Sequence, residues 1–148
     1  MNKLLILLFV MLSFHVTVAQ QQADTVAIKT LLQKESATWR SGDVEAHASC
    51  WHIQPYSRIL VSTVDGKCYD VAPEKVINPP PGSMGKGGNA ELRNFKFSIH
   101  KNYAWVSHDE ISTALDNSRS YSHEIRILEK IKGKWKLVGQ SIHLYKPD

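Results

Sequence analysis

Residues Ser122–Tyr145 read SHEIRILEKIKGKWKLVGQSIHLY, two strand-like runs that meet at Lys132-Gly133. Each run alternates apolar and polar residues, and a Lys-Gly pair between them suits a two-residue hairpin turn. Runs of the same character precede it. Leu92–His100, Tyr103–Leu115 and Tyr121–Ile131 are read as strands, with turns at Lys101-Asn102 and Asp116-Asn117, and Trp135–Tyr145 completes the series. Further upstream, Tyr56–Val64 turns at Asp65-Gly66 into Lys67–Val71, and Pro73–Ile77 allows one helical turn. The segment between these parts, NPPPGSMGKGGN at Asn78–Asn89, has no apolar period and reads as a long loop, either a lid or slack chain.

The N-terminal half of the chain has a different period. Ile28, Leu31, Leu32 and Trp39 fall on one helical stripe, with Asp24 as the expected N-cap, an end near Arg40, and Ser41-Gly42 as the stop. Asp43 then caps a second short helix from Val44 to about Trp51, with Ala46, Cys50 and His47 toward the core. Helices followed by a run of hairpins define an α+β class, with the helices packed on one face of an antiparallel sheet.

Residues 1–19 are read as a secretory signal peptide. Lys3 precedes an apolar stretch beginning at Leu4, and Thr17 and Ala19 are small residues suited to cleavage before Gln20. The apolar run is shorter than the roughly 20 residues that span a bilayer, so no membrane span is expected after cleavage. The expectation is an exported protein, periplasmic or extracellular, with residues 20–148 as a single domain.

Of the 148 residues, 18 are Lys or Arg and 14 Asp or Glu, a balance of +4 with no polybasic stripe, which excludes nucleic acid as the expected partner. The seven histidines form no close ligand cluster, so neither a metal nor a cofactor is expected. An exported chain permits a disulfide between Cys50 and Cys68, but each position also suits plain packing.

The order of these elements resembles the nuclear-transport-factor-2-like superfamily in its SnoaL-like branch. The resemblance rests on TWRSGDVEA at Thr38–Ala46, the Trp51 region and its strand, YAWV at Tyr103–Val106, and EIRILEKIKGKWKLV at Glu124–Val138. It implies a cone: a strongly curved antiparallel sheet wrapped over the N-terminal helices, a cystatin-like α+β roll around a pocket. Members of the superfamily include isomerases, dehydratases and cyclases, and also binding or assembly domains without chemistry, so the resemblance implies a fold and not a reaction.

Register can be argued from the turns. With Lys132-Gly133 as the loop, Ile131 faces Lys134, Arg126 faces Gly139, Glu124 faces Ser141 and Ser122 faces His143. Gly139 would then leave room for the Arg126 guanidinium. A four-residue loop Asp116–Arg119 pairs Asp109 with Arg126, whereas a loop one residue shorter or longer brings His108 there instead. The resemblance favours the first choice. In the kinase-association domains of the superfamily, the arginine of an E-x-R motif like Glu124–Arg126 and the residue matching Ser107 line the pocket, which carries Trp105 and Asp109 inward.

The expected ligand site is therefore Trp105, Ser107, Asp109, Glu124, Arg126, Ser141 and His143, closed by Trp39 and Tyr56. It would take a small, partly apolar ligand with a carboxylate or carbonyl held by Arg126. Candidates for acid–base work are Asp109, Glu35, His143 and His108. Glu35 is singled out because a carboxyl on an apolar stripe must be paired or neutralised, unless it lies at the exposed edge. Two observations oppose the steroid-isomerase chemistry of the superfamily: Glu35 stands where the resemblance implies a catalytic Tyr, and Gln54–Val61 contains no carboxylate for the base. A Ser141, His143, Asp109 triad lacks a nucleophile elbow and is rejected. The leading expectation is an exported small-molecule-binding domain. The alternatives are an acid–base enzyme without cofactor or a protein-interaction module. A homodimer through the outer sheet face is expected, to cover Ile125, Ile127, Val138 and Ile142.

Overall fold

The computed structural model describes residues 2–147, with side chains from Gln20 onward. Helix α1 (Asn2–Ser41) leads into α2 (Val44–Ala48), β1 (Ile59–Ser62), β2 (Cys68–Val71), α3 (Glu74–Ile77), β3 (Asn89–His100), β4 (Tyr103–Thr113), β5 (Arg119–Ile131) and β6 (Lys134–Tyr145). The six strands form one sheet in the order β2-β1-β6-β5-β4-β3, antiparallel throughout except where β1 runs parallel to β6. The class is α+β, with a curved sheet wrapped over the N-terminal helices, as the alternation of helix and strand periods implied.

The apolar stripe of α1 faces the sheet. Ile28 and Leu32 are fully buried against Cys50, Ile59, Val106, Leu128 and Leu137. Burying a side chain such as Leu137 stabilises the fold by roughly 1.5–3 kcal/mol. Asp43 caps α2 as its sequence implied: its side chain accepts a hydrogen bond from the Ala46 amide at 3.0 Å. Gly42, at φ +74, ends α1 in the left-handed conformation that a C-terminal glycine adopts cheaply.

Asp24 does not start the helix. Ala19–Ala23 contains no breaker, so α1 continues through it. Asp24 is buried instead and ties α1 to the far end of the β5–β6 hairpin, accepting from Trp135 Nε1 at 3.0 Å and from Lys130 Nζ. Lys130 Nζ also lies 4.9 Å from the centre of the Trp135 ring. The signal-peptide expectation concerns side chains outside the described ones. Among the described residues, no helix is long and apolar enough to cross a membrane.

The long loop is neither slack nor free. The Gly85 amide donates to the Trp39 carbonyl at 3.1 Å and the Gly87 amide to the Arg40 carbonyl at 2.6 Å. The loop therefore satisfies carbonyls at the C-terminal end of α1 that no intrahelical donor reaches. A Cβ at Gly85 would come within 2.8 Å of Arg40 Cα, so glycine is what permits this approach. The segment is a strap that closes one side of the cone. Cys50 is a buried free thiol and Cys68 an exposed one, so the sulfurs are not bridged.

Two registers differ from expectation, β4–β5 by three residues and β5–β6 by one, both odd shifts that exchange faces. Between β4 and β5 the Ala114 amide bonds the Ser118 carbonyl at 2.9 Å, leaving a three-residue loop with Asn117 left-handed at φ +64. That is the common three-residue hairpin geometry. It pairs Asp109 with His123 and His108 with Glu124. Between β5 and β6 the near end pairs as expected, with Ile131 opposite Lys134. A bulge then makes Val138 the extra residue: Leu128 faces Leu137, but Ile127 faces Gly139 and Arg126 faces Gln140. Beyond it every side chain of β6 has changed faces. Gly139 makes room for the entry of β1, its absent Cβ lying 3.3 Å from the Arg58 carbonyl, and not for Arg126.

Candidate functional site

The inner face of β4, β5 and β6 and the stripe of α1 enclose a cavity of about 490 Å³ at the wide end of the cone. Its apolar wall comes from Ile59, Val61, Val71, Val76, Ile142 and Leu144, with Trp39 from α1; its polar side holds Glu35, Ser36, Arg40, Glu110, Glu124, Arg126 and Gln140. An apolar wall with a few convergent polar groups is the usual composition of a ligand site.

Arg126 stands at the centre of the polar side and is 96% buried. Nη2 pairs with Glu124 Oε2, Nη1 donates to Gln140 Oε1, and Nη1 also lies 3.5 Å from Glu35 Oε2. Its Nε is buried without a partner. Burial works against this charge, but Glu124, Glu35 and Glu110 outweigh it and hold the guanidinium firmly protonated. Glu124 shows the converse balance. Burial pushes its carboxyl up, yet the charge of Arg126, the nearby His108 and the Ser122 hydroxyl at 2.8 Å bring it below the usual carboxylate range.

A second ion pair lies beside the first. Arg40 Nη2 meets Glu110 Oε1 at 3.0 Å, Ser36 donates to Glu110 Oε2 at 2.9 Å, and Arg40 also donates to Ser36 and Ser112. Glu110 and Glu124 thus each have a guanidinium of their own. Glu35 has none. It lies 3.5 Å from a guanidinium already committed elsewhere and 3.8 Å from His47 Nε2, and burial raises its pKa against the pull of Arg126 and His47. His47 donates Nδ1–H to the Glu35 carbonyl at 3.2 Å, which leaves its Nε2 without a partner.

Of the expected site residues, the structure brings Trp39, Glu124 and Arg126 to the cavity, together with Glu35. His108 lies buried behind them, its Nε2 3.6 Å from Glu124 Oε2; burial first, then Arg126, lowers its pKa and keeps the ring neutral. Trp105, Ser107, Asp109, Ser141 and His143 point to the outer face, because of the three-residue loop and the Val138 bulge. There Asp109 accepts from Asn94 at 2.6 Å and meets His123 Nδ1 at 2.8 Å, while Ser141 Oγ lies 2.9 Å from His143 Nε2. These are two hydrogen-bonded pairs, not a triad, although Asp109, His123 and His143 line, with Trp105, Ser107 and Glu124, a second hollow of about 760 Å³. Tyr56 is exposed and donates to Glu129 at 2.5 Å, away from the cavity. No group of three His, Cys, Asp or Glu side chains among the described residues is placed to hold a metal ion.

Sequence reasoning missed Ser36, Arg40, Glu110 and Gln140. The first two carry a legible signal, since Ser36 and Arg40 sit four residues apart beside the apolar stripe. Glu110 and Gln140 follow only from the corrected registers. For the expected outer cover, Val138 is buried at the bulge and Ile142 lines the cavity, so the outer face carries Tyr103, Trp105, Ile125 and Ile127 instead.

Glu35 gives a pH signature. Its pKa is raised above the ordinary 4.5, so the native state keeps a proton that the unfolded chain releases above that value. Stability from this source is present below 4.5 and is lost as pH rises through the raised native value. Glu35→Gln removes the loss. Between pH 4 and pH 8 its melting temperature should gain on the parent by at least about 2 °C, a shift readily resolved in a domain of this size. Parallel melting curves with no gain would show that Glu35 carries no such burden.

The cone is the nuclear-transport-factor-2-like, cystatin-like fold. The solved structures similar to this chain include an NTF2-like protein with a cystatin-like fold from Novosphingobium aromaticivorans, with a TM-score of 0.66 and 14% identity over 93% of this chain and 92% of that one. A protein of unknown function with a cystatin-like fold from Nostoc punctiforme gives 0.64 and 16% over 85% and 93%. A putative scytalone dehydratase from Novosphingobium aromaticivorans gives 0.64 and 12% over 87% and 89%. At such identities the likeness is one of fold. No family model matches the sequence, and no curated protein does either.

Proposed function

We propose that this chain is an exported small-molecule-binding domain whose ligand, small and partly apolar, occupies the cone cavity. One observation carries the reading: a half-open space of about 490 Å³ joins a broad apolar wall to a buried, charged polar side on which Glu35 lacks a counter-ion of its own. Buried charge of this kind adds little to stability compared with apolar packing, and its retention beside an open cavity favours a binding role. The expected grip of Arg126 on a ligand carboxylate is weakened, since both Nη atoms are already engaged.

Thermal melting of residues 20–148 against a library of partly apolar small molecules tests this, beside an Ile142→Trp variant that fills the cavity from its apolar wall. Ligands that bind only the folded state raise the melting temperature by mass action. Hits that vanish in the variant support the reading. Silence throughout, or hits indifferent to the variant, would favour an interaction module. A second reading, acid–base catalysis, is favoured by the raised pKa of Glu35 beside His47. Turnover of a hit that Glu35→Gln abolishes would establish it, and unchanged turnover in that variant would remove it.

Export through residues 1–19 and a homodimer through the outer face belong to the same proposal. Trp105 and Ile127, each more than two-fifths exposed on that face, support the dimer. Intact mass and sedimentation of the protein from a secreting host test both, and retained residues 1–19 or a monomer would remove the respective claim.

A further inference from the structure

We infer that the cavity is built for a cationic ligand, an apolar body bearing one protonated amine that Glu35 receives. The inference rests on the cone cavity being a binding site and names the class of its ligand. Its basis is a count of charges in one half-open space: Glu35, Glu110 and Glu124 share it with two buried guanidiniums, Arg40 and Arg126, with the His47 imidazole, and with the exposed Lys75. Arg40 belongs to Glu110 at 3.0 Å, and Arg126 to Glu124 and Gln140. The third carboxyl has only a share of Arg126, 3.5 Å from its Nη1, and its side chain is 94% buried.

Such a group in a desolvated site must be neutralised, by a proton or by a cation. A proton is the alternative to a cation here, and burial shifts the pKa of Glu35 upward, in that direction. Lys75, the remaining cation at the rim, is exposed and screened by water. An ammonium beside Glu35 completes the charge balance and lets the carboxyl ionise. Trp39 lines the same space, and an indole face is a favourable surface for an organic cation. A ligand carboxylate would do the opposite, adding a second uncompensated anion to a buried site already short of positive charge.

Binding is then coupled to a proton: Glu35 gives its proton to the buffer as the ammonium arrives. The groups facing Glu35 are Arg126 and Glu124 on β5, Glu110 on β4 and His47 on α2.

Three probes with one body and different heads test the inference: tryptamine, tryptophol and indole-3-propionate, titrated calorimetrically into residues 20–148 at pH 7 in two buffers of different ionisation enthalpy. Tryptamine should bind at least tenfold more tightly than the other two, release protons, and weaken as pH falls through the Glu35 pKa. Glu35→Gln should bring tryptamine down to the affinity of tryptophol. Preference for indole-3-propionate or tryptophol, or an unchanged tryptamine affinity in Glu35→Gln, overturns the inference while leaving the cavity as a binding site. Absence of binding by all three overturns it as well, and places the cavity reading itself in the hands of the library and the Ile142→Trp control.

Discussion

Arg126→Met should destabilise the protein by about 3–5 kcal/mol at pH 7, the usual cost of removing one partner of a buried ion pair. Methionine matches the length of the side chain and keeps the space filled, so the loss is electrostatic and not a cavity. It strands Glu124, whose side chain is 4% exposed, and leaves Gln140 Oε1 without its donor. The pH dependence follows from Glu124. Its native pKa lies below the ordinary 4.5, so the stability it contributes is complete above 4.5 and is lost as pH falls through the lowered native value. Losing Arg126 reverses that shift, and the penalty should shrink in acid, where Glu124 takes up a proton. Urea unfolding at pH 7 and pH 4 measures both. Adding Glu124→Leu to the variant should recover much of the loss, because apolar replacement of both partners leaves no charge in the core. A deficit below ~1 kcal/mol at pH 7 would mean that water reaches Arg126 and the network is not buried.

Gly88→Ala should loosen the strap. Gly88 adopts φ +95, and a Cβ there would lie 2.2 Å from the Thr113 carbonyl oxygen, a backbone atom that cannot swing aside. Backbone strain alone costs about 1–3 kcal/mol at such a position, and the clash adds to it. Because the strap is held chiefly by backbone bonds to the end of α1, local release is the cheapest response. Limited proteolysis should therefore cut within residues 78–88 many times faster than in the parent, while the sheet melts nearly as before. Gly82→Ala is the control: φ is +76, but nothing lies within 4 Å of the added Cβ, so only about 1–2 kcal/mol of left-handed strain applies. Equal cutting of the two variants would show that the strap is not docked on α1 and β4.

The fold was legible because its signals are periodic and repeated. The α1 stripe, the Asp43 cap and the Lys132-Gly133 turn each state their part locally, and together they leave one architecture. The site was half legible. Glu35 could be found because a carboxyl among Leu32 and Trp39 breaks a period, and Glu124 with Arg126 because both sit on β5, whose turn into β6 was read correctly. What failed was parity. Asp109 and His108 exchange faces with one residue in the Leu115–Asn117 loop, and His143 and Ser141 exchange with Ile142 and Leu144 at Val138. Asn117 could have hinted at the loop, since asparagine tolerates the left-handed region that three-residue hairpins require. The bulge has no comparable local mark, because it arises where β6 must admit β1 alongside Gly139.

The bulge at Val138 also decides which of two linings β6 presents to the interior. Everything from Leu128 to the turn is held by the core, so a β6 that paired straight through Val138, with that residue kept and the bulge lost, would leave the hydrophobic contacts of Leu137 and Trp135 in place. Beyond that point it would exchange the faces of the strand, offering Ser141 and His143 to the interior and sending Ile142 and Leu144 outward. One strand thus carries two linings, one apolar and one hydroxyl–imidazole, a single residue apart in register. A lineage built on this cone could pass between binding chemistries by such a step without rebuilding its scaffold.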